Sequence, residues 1–237
     1  MAGATRTELC QRYGLRDEDF DAFVKYLRRK GLITSVQTTS ERSFGQCHEI
    51  DFEIYGDDMQ FVEVELDPGE SAISEAGAMM YMDEGIEMET IFGDGSEKGF
   101  WGKLAGAGKR LLTGESLFMT VFTNRAHEKR RVAFGAPFPG KIIPVELKEI
   151  GGEILCQKDA FLCGAKGVSI SIAFQRKFGV GLFGGEGFIL ERIEGDGYVF
   201  LHVGGTVVEK QLAQGQFIRV DTGCLAAMTP TVEYDIE

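Results

Sequence analysis

The stretch that decides the fold is Pro68-Gly69-Glu70-Ser71-Ala72-Ile73, followed two residues later by Ala76-Gly77-Ala78-Met79. The same spacing of turn glycine, apolar run and small apolar cluster returns in Gly151-Gly152-Glu153-Ile154-Leu155-Cys156 with Asp159-Ala160-Phe161-Leu162. It returns again in Gln214-Gly215-Gln216-Phe217-Ile218-Arg219 with Thr222-Gly223-Cys224-Leu225. Each segment runs on into an alternating stretch: Ile86-Glu87-Met88, Val168-Ser169-Ile170 and Val232-Glu233-Tyr234. Alternation of apolar and polar residues marks a half-buried strand, and a recurring unit marks a repeat architecture.

A second unit is interleaved with the first. Gly114-Glu115-Ser116-Leu117-Phe118-Met119 resembles Gly185-Glu186-Gly187-Phe188-Ile189-Leu190, and both lead into hairpins that end near Val132-Ala133-Phe134 and Val199-Phe200-Leu201. A strand pair cannot bury its apolar face alone, whereas copies packed side by side cover one another's edges. The expected fold class is therefore mainly β, with three repeated units around a pseudo-threefold axis. The expected domains are an N-terminal helical extension, residues 1–45, and a threefold-repeat β domain, residues 46–237.

The extension reads as helical from its periodicity. Phe20, Phe23, Val24 and Leu27 fall on one stripe, acids fill the first turn, and Arg28-Arg29-Lys30 precede the stop at Gly31. Residues 1–45 hold 8 Lys/Arg against 6 Asp/Glu, while the rest holds 17 against 31. The net charge of -12 disfavours nucleic acid as a partner. Five cysteines, odd in number and without CxxC spacing, argue against a disulfide framework or a zinc site and for buried thiols in a reducing, cytoplasmic setting.

No catalytic apparatus is legible. Gly179-Val180-Gly181-Leu182-Phe183-Gly184 fits G-x-G-x-x-G, but a strand-like run follows it where a nucleotide site needs a helix. Ala105-Gly106-Ala107-Gly108-Lys109-Arg110 lacks the spacing and the hydroxyl residue of a phosphate loop. His48, His127 and His202 have no ligand spacing, and no nucleophile elbow is present. No cofactor, metal site or catalytic residue is expected. Arg125, Lys129, Arg130 and Arg131 cluster at an expected hairpin tip, where solvation is the ordinary outcome and anion binding the alternative. The segment 92–114 combines Phe100, Trp101, Lys103, Lys109, Arg110 and Leu111 among glycines. Aromatic and basic residues together suit a partner surface or peripheral membrane contact.

The combination Leu66-Asp67-Pro68-Gly69-Glu70, Glu75-Ala76-Gly77-Ala78-Met79, Gly185-Glu186-Gly187-Phe188, Gly195-Asp196-Gly197-Tyr198-Val199-Phe200 and Arg219-Val220-Asp221-Thr222-Gly223 resembles the altered inheritance of mitochondria protein 24 family over residues 46–237. The resemblance implies a fold similar to the trp RNA-binding attenuation protein, a β-sandwich or double-stranded β-helix unit present three times as a pseudo-trimer. It implies no established enzymatic activity or cofactor, and its eukaryotic members are linked to mitochondrial inner-membrane organisation. Two departures stand out. Residues 1–45 fall outside the pattern, and the sequence stops at Tyr234-Asp235-Ile236-Glu237, before the Gly-Glu-Gly hairpin that would complete a third unit. An open strand edge is the expected consequence, covered by residues 32–45 or by a neighbouring subunit. The functional expectation is a non-enzymatic, homo-oligomeric scaffold or interaction protein; a small-ligand module with an interior site is the alternative, and a cryptic metal enzyme or hydrolase ranks third.

Overall fold

The computed structural model describes residues 46–92, 118–176 and 188–235, all within one compact unit, Phe44–Glu237. The expected helices of residues 1–45 lie outside the described residues, as do the segment 93–117 and the glycine pattern at 179–184.

The described chain is mainly β, with three short 3-10 helices beside its strands. Strands β1 (Asp51–Tyr55), β2 (Phe61–Leu66), β3 (Ser71–Glu75), β4 (Met79–Met82), β5 (Ile86–Phe92), β6 (Phe118–Asn124) and β7 (Arg130–Gly135) come first. They are followed by β8 (Lys141–Glu146), β9 (Glu153–Gln157), β10 (Phe161–Ala165), β11 (Ser169–Arg176), β12 (Phe188–Glu194), β13 (Tyr198–Val203) and the short β14 (Ala227–Met228). Three sheets result, with orders β1-β2-β7-β4, β5-β6-β3-β10-β13-β8 and β11-β12-β9-β14.

One strand order occurs twice. The first set forms β2-β7-β4 and β5-β6-β3; the second forms β8-β13-β10 and β11-β12-β9. The sets are joined by one rule. The middle sheet pairs β3 of the first set with β10 of the second, and the last sheet pairs β9 of the second set with β14. The turn glycines before β3 and β9, Gly69 and Gly151, share left-handed φ values of +88° and +89°. Gly215 matches them at +79°. Only glycine adopts that region at little cost. Asn124 N donates to Glu70 O and Gly195 N to Gly152 O, so Glu70 and Gly152 hold equivalent places in the two sets. The spatial correspondence is thus one residue out of step with the ungapped sequence comparison.

Residues 204–235 depart from expectation. The alternating runs at 216–220 and 232–234 are not strands, and only β14 pairs. A β-run needs a neighbour to take its backbone hydrogen bonds, and no described strand pairs with these runs, although the Tyr234 ring meets Phe174 of β11 edge-on at 5.5 Å.

Alternation builds the interior. On β2, Val62, Val64 and Leu66 are buried while Phe61, Glu63 and Glu65 face outward. The inward residues of all three sheets join one core cluster. Two of its aromatic contacts are edge-on: Phe122 meets Phe134 at 5.2 Å and Phe52 meets Phe200 at 4.8 Å.

The β6–β7 hairpin is locked by Asn124, which is fully buried. Its Nδ2 donates to Leu66 O and Glu128 O, both at 2.8 Å, and its Oδ1 accepts from Ala126 N at 2.9 Å. Asn124→Ala is expected to lower unfolding free energy by about 1–3 kcal/mol, because Leu66 O is left buried without a donor. Urea denaturation checks this; a loss under about 0.5 kcal/mol would mean the site rehydrates freely.

Candidate interaction surface

The outer face of the first sheet carries the most exposed aromatic surface that the pairing register assembles. One rung across β1, β2 and β7 is Tyr55–Phe61–Gly135. The next is Glu53–Glu63–Ala133, continued by Tyr81 of β4. The third is Asp51–Glu65–Arg131. Tyr55 and Phe61 stack at 5.1 Å, and Phe61 meets Tyr81 edge-on at 6.3 Å. Gly135 leaves a floor where a Cβ would lie 2.7 Å from the Met80 sulfur. A bulge in β4 between Met79 and Tyr81 turns both Met80 and Tyr81 toward this face.

The polar end of that face is neutralised. Lys129 Nζ lies 3.1 Å from Asp51, 2.9 Å from Glu65 and 3.5 Å from Asp67. Arg131 reaches Glu65 at 2.9 Å and Glu63 at 3.5 Å. These hydrogen bonds from Lys129 and Arg131 hold the Glu65 carboxyl below its usual range. Arg125 pairs with Glu87 at 2.7 Å, and Arg130 with Glu128 at 2.6 Å. The four basic residues do form a hairpin, but each already serves a carboxylate, which removes the basis for an anion site there.

At the aromatic end the carboxylates meet phenols instead. Tyr55 Oη donates to Glu53 Oε2 at 2.7 Å, and Tyr81 Oη to Glu63 Oε2 at 2.6 Å. The hydrogen bond to Glu53 pushes the Tyr55 hydroxyl up to about 12, and the bond to Glu63 raises Tyr81 likewise. Deprotonating either phenol would set an anion against a carboxylate.

The second feature is an open edge. Among the described residues β4 pairs only with β7, whereas β10, which holds its place in the second set, pairs with β3 as well as β13. Met80, Tyr81 and Met82 are exposed on β4. Across residues 206–220, Val207, Val208, Phe217, Ile218 and Val220 are exposed as well. Paired strands bury such side chains, and exposed apolar edges invite further pairing.

Other candidate groups are ordered differently. His202 is only 3% exposed, and neither ring nitrogen has a hydrogen-bond partner. It stands opposite Ile142 as Phe134 stands opposite Val62, and the Phe138 ring meets it edge-on at 4.6 Å. Burial lowers its pKa. A groove of about 560 Å³ opens beside it, lined by residues that include Asp58, Gly140, Lys141 and Thr206. His48 is structural: its Nδ1 accepts from Ser71 N at 2.9 Å.

Cys47, Cys156 and Cys163 are buried, while Cys224 is exposed, contrary to the expectation that the thiols are all interior; Cys224 ends a short 3-10 helix, Thr222–Cys224, that has no buried residue. Burial pushes the Cys47 thiol up to about 11 and raises Cys156 and Cys163 further, so these three are poor thiolates. Glu75, at the end of β3, is pushed up to about 7 by burial and then by Asp159, against the pull of Lys158. No group of three or more His, Cys, Asp or Glu with metal-site geometry occurs among the described residues. No helix among them is long and apolar enough to cross a membrane. The sequence-derived surface of Phe100, Trp101, Lys103, Lys109, Arg110 and Leu111 lies outside the described residues.

The strands that build this face and its open edge lie in the part of the chain matched by the model of the mitochondrial biogenesis AIM24 family, residues 52–237. The chain belongs to the AIM24 family. An uncharacterized protein of Streptococcus pyogenes is 32% identical to it over 184 residues, which are 75% of this chain and 70% of the relative. A crystal structure of a Streptococcus pyogenes protein aligns with a TM-score of 0.47 at 24% identity, covering 66% of each chain. The chain thus spans just under two thirds of that protein's length. AIM24 membership covers every strand of this face except the first residue of β1.

The sequence reading missed the aromatic face. Its signal was Tyr55 and Phe61 flanking the turn at 56–60, but cross-strand register alone brings Tyr81 and Met80 beside them.

Proposed function

We propose that this AIM24-family chain is a non-enzymatic assembly scaffold, built from three copies of one unit in a pseudo-threefold, TRAP-like arrangement. The observation that carries the reading is the outer edge of β4, with which no described strand pairs. In both observed junctions a strand of the β3 type pairs with a strand of the β4 type from the following copy. By that rule β4 is owed a β3-type strand. Residues 216–220 are the remaining segment of that type: they follow Gly215, the left-handed counterpart of Gly69 and Gly151, and expose Phe217, Ile218 and Val220. In this reading they pair with β4 of a second copy, a head-to-tail contact that closes into a ring or extends as a chain. Segment 100–111 supplies the contact to a partner or membrane surface.

Light scattering across a concentration series tests the assembly. Wild type is expected to form oligomers, and Met82→Lys, a charge on the open edge, to shift the population at least about tenfold toward monomer. A wild type that stays monomeric at high concentration would sink the reading. The groove beside Gly140 favours a second reading, a small-ligand module, because its volume is of the usual ligand-site size. Saturation-transfer NMR against a metabolite library tests it, and broadened signals confined to the groove residues are the expected result.

A further inference from the structure

The outer face of the first sheet carries chemistry of its own, independent of what covers the β4 edge. We propose that this face docks an arginine side chain presented by a partner protein, its guanidinium against Phe61 and Tyr81 and its N–H groups on Glu53 and Glu63.

The register sets the argument. Glu53 and Glu63 are direct cross-strand partners, and like charges placed opposite one another repel. One rung away the carboxylates have Lys129 and Arg131. Here the next residue across is Ala133, and among the described residues the one cation within reach of Glu63 is Arg131, at 3.5 Å. No described lysine or arginine comes within ion-pair distance of Glu53, whose partner is the Tyr55 hydroxyl. Among the described residues the face therefore holds a carboxylate pair short of one cation, beside rings whose negative π-faces favour a cation.

Guanidinium fits this arrangement better than ammonium. It is planar, it stacks on rings, and its forked donors can serve two carboxylates at once. The phenol hydroxyls fix the carboxylate oxygens by donating to them. Met80 lies over the Gly135 floor and is 54% exposed, so a flexible thioether can shift as the ligand seats. An open sheet face surrounds a ligand on one side only. A free cation would gain little there, whereas a side chain on a partner brings flanking contacts along the sheet, and the chain's net charge of -12 attracts a basic partner.

The test titrates the full-length protein with an acetylated peptide of alternating arginine and serine, followed by calorimetry and by the tyrosine ring NMR signals. Binding is expected, with shifts at Tyr55 and Tyr81. The matched lysine peptide is expected to bind about fivefold more weakly, and the citrulline peptide not at all. Glu63→Gln and Phe61→Leu should each weaken the arginine peptide at least about fivefold, with Glu53→Gln as the variant least able to disturb folding. Glu209→Gln, at an exposed acid elsewhere, should change nothing. Equal binding of the lysine peptide, equal weakening by Glu209→Gln, or no binding at millimolar peptide would each overturn the proposal, the first two by reducing it to diffuse charge attraction.

Discussion

Replacing Phe134 by alanine is expected to lower the unfolding free energy by about 3–5 kcal/mol. The ring is fully buried near the end of β7, the strand that lies between β2 and β4. It faces Val62 on β2 and Met79 on β4, and it meets Phe122 edge-on across the gap between two sheets. Truncation removes apolar area and also leaves a cavity that three paired strands cannot collapse to fill. Equilibrium urea denaturation reads the change as a shift in midpoint at constant slope. Val208→Ala serves as the contrast: at 69% exposure it should stay within about 0.5 kcal/mol of wild type. If the two variants lost similar amounts, the sheet packing described above would be wrong.

The second large effect is pH-dependent and centres on His202. A neutral imidazole has one donor and one acceptor, and both are buried without partners. His202→Leu is therefore expected to stabilise the protein by about 1–3 kcal/mol at pH 7.5, since it removes that unmet demand. Acidification should widen the gap. Burial lowers the folded-state pKa below the ordinary value near 6.5, so the unfolded chain takes up the proton first. Stability from this residue is complete above about pH 6.5 and falls below it by up to about 1.4 kcal/mol per pH unit. Glu75 acts in the opposite sense. Its folded pKa of about 7 exceeds its ordinary value, so the folded state takes up that proton first, and stability rises as pH falls from about 7 toward 4.5. The two slopes partly cancel in wild type. The difference between wild type and His202→Leu isolates the histidine, and a difference that stays constant between pH 7.5 and 5 would show that the ring reaches solvent.

The internal comparison explains why His202 escaped a sequence reading. In the first set of strands its position holds Phe134, a core residue without polar atoms. Among three scattered histidines, nothing in the spacing marked one as buried and unpartnered. The strands themselves were plain to read. Phe61-Val62-Glu63-Val64-Glu65-Leu66 alternates because one face of β2 meets the core. The turn at Asp67-Pro68-Gly69-Glu70 is closed by Glu70 N to Asp67 O at 2.9 Å. The third set was over-read: Val232-Glu233-Tyr234 has strand-like alternation, but alternation describes a face and supplies no neighbour.

The sequence by itself determined the β class and the turn glycines before β3 and β9, because side-chain period and glycine conformation are local properties of the chain. It also carried the family, through short motifs spread over most of its length. Only the tertiary structure decided which strands pair, which edge of β4 no described strand takes, and which side chains share a rung. Those depend on hydrogen bonds between residues far apart in the chain, such as Glu53 opposite Glu63 and Tyr81 opposite Ala133. The face formed by Tyr55, Phe61 and Tyr81 exists only once that register is set, since a slip of one residue would turn the same side chains into the core.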